Sequence, residues 1–498
     1  MLQIVLAIGL IGICIYWITS KRRSGEAVPR YRGLPFIGNL HQLNLQRPEL
    51  TFTDWSKDLG AVFSVKFLSD EFVVLNTNAA IREALVTKRD TFAGRPQGAF
   101  RTGMITDGFQ DITFCDPNPR WRFLRRTCQR SIKLSSDDSG NREMLGDMIA
   151  KMVNAFLEQK TSFNPRETIY RTTVGIIIKL LVNERCTADE DLVKAVVDYE
   201  KHVLSATMPT GKGFELDLFP WMRYFGIKSY KYMQYVVHLR DILWDELKKA
   251  ELRGGTDAED QGLVAALLRA QDEMNTANDV HLKLSDVHVK QAAIDMVVAG
   301  TGTTTLHMYA YFNIISNHPD IQDRLFREVD LIVGKHGTVS VNDRKVLPIC
   351  FATTLELLRY ANIGAIGLPH ATLEATTIAG KKIAKGAQVL TNLWAVHHDE
   401  DFWEEPFEFR PDRFLDSVGR LIPASHPNRQ RMLAFGAGAR VCIGEFLATT
   451  RLFLVIASTA QKCQISPGDL RSSYDPRHYG HGMMLNPPDY EIKVKGRY

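Results

Sequence analysis

Seven cysteines are scattered along the 498 residues, at Cys14, Cys115, Cys128, Cys186, Cys350, Cys442 and Cys463, with no C-x-x-C pair among them. An odd, scattered set reads as reduced thiols in a reducing compartment rather than a disulfide framework. Six of them read as inert packing. Cys442 differs, because it lies in FGAGARVCIG, Phe435 to Gly444, with an arginine two residues before it and glycines around it. A lone cysteine can be packing, a nucleophile or a metal ligand. A nucleophile wants a histidine base, which spacing cannot show. A zinc site wants three further ligands, and none is close. A heme iron needs one axial protein ligand, and a thiolate there favours O–O cleavage. Gly436, Gly438 and Gly444 allow backbone N–H groups to aim at sulfur and the loop to lie flat against a porphyrin. Arg440 reaches a propionate from the same loop.

The ten residues resemble the heme-binding loop of the cytochromes P-450, F-x-x-G-x-R-x-C-x-G, with Phe435, Gly438, Arg440, Cys442 and Gly444 at the matching positions. Glu356 and Arg359 match that superfamily's E-x-x-R on one helix face, and Arg413 in PDRF supplies the third member of a structural charge cluster. The resemblance, which runs from about Pro29 to the end, implies heme b as cofactor. Trp121 and Arg125 match W-x-x-x-R, whose indole and guanidinium bind a propionate; Arg95 in FAGRPQ and His370 in LPH match further propionate positions. Phe219–Trp221 and NLWAVHHDE look most like the animal microsomal steroid hydroxylases of the 17α-hydroxylase and 21-hydroxylase type.

AGTGTT, Ala299 to Thr304, resembles the superfamily's oxygen-binding turn. Thr303 is then the hydroxyl that organises water, and Gly300 loosens the helix. The turn's acidic position holds Gly302, so the usual proton-delivery carboxylate is missing, and Gly302→Asp is expected to restore it. Asp295, about two turns earlier on the same face, is either the feeder of a water chain or a carboxylate with a structural partner or a substrate contact. Phe100, Ala299, Ile363, Ile366, Leu368, Met483 and Met484 are expected around an apolar substrate pocket.

These residues need a scaffold. Paired strands are expected at Ala61–Phe67 and Phe72–Asn76, helical spacing from Ala79 to Leu358 with a long helix at Asp286–His318, and short strands and loops after Pro369. A helix should follow Cys442, and a hairpin should span His478–Tyr490. GGTDAEDQG, Gly254 to Gly262, reads as a polar surface loop. Arg122, Arg126 and Arg130 recur every four residues and form one stripe, offset from Trp121 and Arg125. The stripe reads as a docking patch for the acidic flavin domain of the membrane-bound NADPH–cytochrome P-450 reductase. Cytochrome b-five is a further candidate donor. The fold class is mainly α with a small β portion.

No P-loop, H-E-x-x-H or G-x-S-x-G is present, and G436-x-G438 lacks the third glycine of a dinucleotide fingerprint. With 61 Lys+Arg against 57 Asp+Glu, the net charge of +4 gives no reason to expect nucleic acid. LQIVLAIGLIGICIYWIT, Leu2 to Thr19, precedes Lys21, Arg22 and Arg23. Basic residues after the apolar run, with Tyr16 and Trp17 at its end, point to a retained signal anchor with the body of the protein in the cytosol. The expected layout is a transmembrane anchor over 1–20 in the endoplasmic reticulum, a basic Pro/Gly linker over 21–40 and one heme domain over 41–498. The expected activity is a heme-thiolate monooxygenase, using electrons from NADPH through a reductase on a lipophilic, steroid-like substrate. The missing acid keeps two other readings open: an isomerase or dehydratase acting on fatty-acid hydroperoxides, and a heme protein that binds ligands with little turnover.

Overall fold

The computed structural model describes residues 27–498 except 69, 138, 183–189, 209–210, 254–261, 277–282 and 481–483, and it gives no side-chain placement over 134–141. The expected anchor, most of the loop Gly254–Gly262, and Cys14, Cys186 and Met483 lie outside the described residues. Among the described residues, no helix is long and apolar enough to cross a membrane.

The chain divides into two compact units. The smaller comprises residues up to Pro96, Ala365–Phe402 and Gly436–Val441. In it α1 (Pro48–Leu59) precedes β1 (Val62–Phe67) and β2 (Asp70–Leu75). Then come β3 (His370–Ala371), β4 (Thr376–Ile378), β5 (Lys381–Ile383) and β6 (Gln388–Thr391). The main sheet runs β1-β2-β6-β3. β1 and β2 are antiparallel, with Val62 opposite Leu75 and Lys66 opposite Glu71, a cross-strand pair of opposite charge. β6 adds parallel to β2, and β3 antiparallel to β6. Phe63, Val65, Val74 and Leu390 from the sheet close over Leu43 and Phe52 to form the core of this unit. Ala379 and Gly380, both at positive φ, make the two-residue turn of the β4–β5 hairpin. Within the described part of the expected linker, Arg30 bridges to Ser64 and Gly38 to Phe67.

The larger unit comprises Gln97–Gly364, Trp403–Phe435 and Cys442–Tyr498. Its helices include α2 (Phe100–Ile105), α3 (Pro119–Asp137), α4 (Arg166–Leu181), α5 (Glu190–Thr207), α6 (Asp286–Ser316), α7 (Pro348–Ala361) and α8 (Glu445–Lys462). A β7–β8 pair, Cys463–Pro467 with Ile492–Gly496, closes the chain. Within the expected hairpin at His478–Tyr490, the described residues form one bridge, Gly480 with Asn486. α6 starts on a capping box in which Ser285 and His288 exchange hydrogen bonds. It is apolar nearly all round and buried along most of its length, as a helix through a large core must be. Gly300 does not loosen it. A Cβ there would stand 2.5 Å from Ile177 Cδ1, so the missing side chain lets α4 close in on an unbroken helix.

Candidate active site

In the larger unit the Cys442 N–H donates to the Phe435 carbonyl at 2.9 Å, closing the loop that leads into α8. The cysteine is accessible to solvent, yet burial pushes its thiol up, opposed by the Gly444 amide and by Arg125 and Arg451. Both facts hold together for a group on the wall of a hollow rather than on the outer surface. Cys128, Cys350 and Cys463 are buried, and Cys115 is half-buried.

α6 carries a second sign of the same hollow. Ala299 is exposed in the middle of this otherwise buried helix, and Thr303, one turn on, is half-buried. The Thr303 hydroxyl donates to the Ala299 carbonyl at 2.8 Å. Arg451 of α8 pins this turn from behind, donating to the Gly300 carbonyl at 3.2 Å and the Thr304 hydroxyl at 2.9 Å. Burial holds its guanidinium down to about 10, against the pull of Cys442. Arg451 was not visible as a site residue, because nothing local marks a buried arginine one helix turn from polar threonines.

On α3, Trp121, Leu124 and Cys128 face inward, and Arg122, Arg126 and Arg130 are exposed, as the stripe required. The Arg125 guanidinium lies over the Trp121 ring at 5.6 Å, and Cys442 opposes the lowering of its pKa by burial. The indole is a different matter. Its single N–H donates to the Ile112 carbonyl at 2.9 Å, so Trp121 offers an anion site a ring face behind Arg125 rather than a donor.

Asp295 meets the structural alternative. Its Oδ2 accepts from the Ile112 amide at 2.9 Å, the Thr113 amide at 3.0 Å and the Thr113 hydroxyl at 2.9 Å. Burial and neighbouring Asp111 push the carboxyl up, and those three donors oppose them. The group ties the 111–113 loop to α6. At Gly302 a side chain would need the flexible ends of two others to shift. A Cβ there would meet Glu200 Oε1 at 2.9 Å and Met484 Cε at 3.2 Å. Glu200, on α5, was missed by sequence reasoning.

The E-x-x-R cluster forms as expected. Glu356 and Arg359 are fully buried and joined by two bonds of 2.7 Å. Arg413 reaches Glu356 at 3.4 Å, Arg359 also donates to the Pro406 carbonyl at 2.9 Å, and the Arg410 amide donates to Glu356 at 2.8 Å. Of the expected pocket residues in this unit, Phe100 lies under the Arg223 guanidinium at 5.2 Å. Ile363 is buried, with its carbonyl bonded to the Leu485 amide at 2.8 Å.

In the smaller unit Arg95, His370 and Arg440 come together. Arg95 donates to the Leu368 and Pro369 carbonyls at 3.2 and 2.6 Å, and Arg440 Nε donates to the Ala93 carbonyl at 2.7 Å. His370 Nδ1 bonds to the Phe92 carbonyl at 2.8 Å. Burial, with Arg95 and Arg440 beside it, holds the imidazole down to about 3. The ring is therefore neutral, with Nδ1–H committed, and Nε2 is an acceptor. Two guanidiniums that depress a third basic group mark a place suited to an anion. Gly438 is required here: its φ is +69°, and a Cβ would fall 1.6 Å from the Leu85 carbonyl oxygen. Ile366 packs on the sheet core, and Leu368 is half-buried.

The model of the cytochrome P450 family matches residues 28–494. The chain belongs to the cytochrome P450 family. It is 28% identical to the steroid 17-alpha-hydroxylase/17,20 lyase of Oryzias latipes, over 100% of this chain and 96% of the relative. It is 30% identical to the chicken (Gallus gallus) protein of the same name, over 92% and 91%. A zebra fish cytochrome P450 structure with progesterone superposes with a TM-score of 0.77 at 26% identity, covering 90% of this chain and 99% of that one. This P450 is a monooxygenase of a family that uses heme b with electrons from NADPH through a reductase. The residues fit that group: a cysteine walling a hollow in one unit, and in the other a convergence of basic side chains suited to carboxylates.

Proposed function

We propose that this P450 hydroxylates a steroid or a closely related lipophilic substrate. Two observations support it: likeness to steroid 17-alpha-hydroxylase/17,20 lyases along nearly the whole chain, and the opening at Ala299 on α6 beside Thr303. The opening carries the reading, because a mid-helix surface left uncovered among the described residues gives a flat apolar ligand somewhere to lie. In the larger unit Cys442 would hold the iron, and Arg125 would pair with a heme carboxylate. In the smaller unit Arg95 and Arg440 would do the same. Bound heme supplies reductive activation of O2, and thiolate ligation favours O–O cleavage. The chain's part is to exclude water, to orient substrate against Ala299, and to hold a proton at the Thr303 hydroxyl. Phe100, Ile363 and Met484 would line the substrate's side.

The exposed stripe Arg122, Arg126 and Arg130 would receive the NADPH–cytochrome P450 reductase, with cytochrome b-five as a second donor. The apolar segment Leu2–Thr19 supports an endoplasmic reticulum anchor over 1–20, with residues 41–498 as the catalytic domain in the cytosol. The test is a panel of steroids and fatty acids titrated into the ferric protein, scored by displacement of the water ligand, then turnover with reductase and NADPH. Steroids should bind and be hydroxylated only with reductase present. Turnover of a lipid hydroperoxide without reductase would replace this reading with the isomerase.

A further inference from the structure

We propose that Glu200 is the acid of the proton path to Thr303: its carboxyl, brought from α5, stands where a side chain at position 302 would be. The geometry is specific. Glu200 Oε1 sits 2.9 Å from where a Cβ of Gly302 would be, on a bare Cα in the middle of α6. Glu200 is 3% exposed, and its other oxygen accepts from the Tyr170 hydroxyl of α4 at 2.6 Å. Thr301 and Gly302 of α6 lie beside it and partly offset the effect of its burial. A buried carboxyl is costly unless paired with a cation, yet those that hold this one are neutral. Gly302 and Glu200 are thus one feature. Glycine at 302 leaves room for an acid that arrives from another helix, and an acid at 302 would have to displace it.

The chemistry suits a donor. Burial raises the carboxyl above the ordinary glutamate range, and Tyr170, Thr301 and Gly302 only partly offset this. An acid closer to the working pH holds its proton and can release it. From α4 the titratable group facing Glu200 is Tyr170; from α6 it meets Thr301 and Gly302, which are uncharged. The other elements packed on α5, namely α2 and the helix Lys228–Arg253, contribute no charge that shifts it among the described residues. Tyr170 is half-buried, and its hydroxyl, bonded to the carboxyl, is the group assigned to carry the returning proton. In one cycle neutral Glu200 gives a proton to water at Thr303 and takes one back from solvent through the Tyr170 hydroxyl. Each group ends as it began, with one proton moved inward.

The inference rests on the monooxygenase reading, and its test separates the two. The heme-loaded protein, its reductase and NADPH are used with Glu200→Gln, Glu200→Asp, Glu200→Ala and the double variant Glu200→Ala/Gly302→Asp. Infrared spectra of the resting protein, parent minus Glu200→Gln, should contain a protonated-carboxyl band that titrates above the ordinary glutamate range. Product per NADPH should fall about tenfold or more in Glu200→Gln, a smaller change than the ~10²–10⁴-fold in rate that a general acid contributes, with hydrogen peroxide making up the difference. Glu200→Asp should keep part of the coupling, and the double variant should exceed Glu200→Ala. Gly302→Asp alone should lose coupling, because two carboxyls then share one space. Should Glu200→Gln fail to take up heme, Glu200→Asp and the double variant carry the test. Full coupling in Glu200→Gln, no carboxyl band, or no rescue in the double variant would overturn the proposal. A parent protein that turns over nothing with reductase would instead overturn the monooxygenase reading.

Discussion

Cys442 and His370 show how far single residues depend on their neighbours. The Cys442 thiol is held up by burial until a metal takes it, and coordination deprotonates a thiol outright. Cys442→His should therefore abolish the strongly red-shifted absorption of the reduced carbon monoxide complex, even where heme stays bound; an unchanged band would remove Cys442 as ligand. His370 gives a pH prediction. Its folded-state value, about 3, lies below the ordinary 6.5. Between those values the unfolded chain binds the extra proton, so stability rises with pH across that window and is lost as pH falls through it. His370→Gln removes that term. Its thermal midpoint should drop less than the parent's when heme-free protein is acidified from about pH 7 to about pH 4.

Among the elements, α3 divides its work by face. Trp121 and Leu124 are buried, whereas Arg122, Arg126 and Arg130 are exposed. A charged, solvated stripe acts mainly on association rates and is screened by salt. Reversing Arg122 and Arg126 to Glu should slow the first electron transfer from the reductase several-fold at low salt, the deficit shrinking as salt rises. Substrate affinity should stay within twofold, which ligand titration of the ferric protein would measure. Equal reduction rates at low salt would exclude this stripe as the docking face. α6 divides differently. Its buried length is structural, and its chemistry is confined to the turn at Ala299–Thr304, where Arg451 holds two of its polar groups.

At the scale of the whole molecule the Glu356–Arg359–Arg413 cluster ties α7 to the segment that precedes the cysteine loop. Glu356 and Arg359 are wholly buried, so removing one partner strands the other's charge. Glu356→Gln should destabilise the protein by about 3–5 kcal/mol. The expected signs are a low yield of heme-loaded protein and a lowered denaturation midpoint. Retention of both would mean that the remaining carbonyl acceptors, Pro406 and Glu408, suffice for Arg359.

Sequence alone determined what depends on contiguous residues or helical spacing. The loop around Cys442, the Glu356–Arg359 pair, the α3 stripe and the long helix were legible, because a few fixed identities or one periodicity specify each. Tertiary structure decided what depends on which distant residues meet. Trp121 lost its donor to Ile112, and Asp295 was claimed by the 111–113 loop. His370 became an acceptor once two arginines closed on it. Above all, the carboxylate that position 302 lacks in sequence is matched in space by Glu200 on another helix. A linear pattern records which side chain a position carries, whereas catalysis depends on which atom occupies a volume, and only packing assigns that.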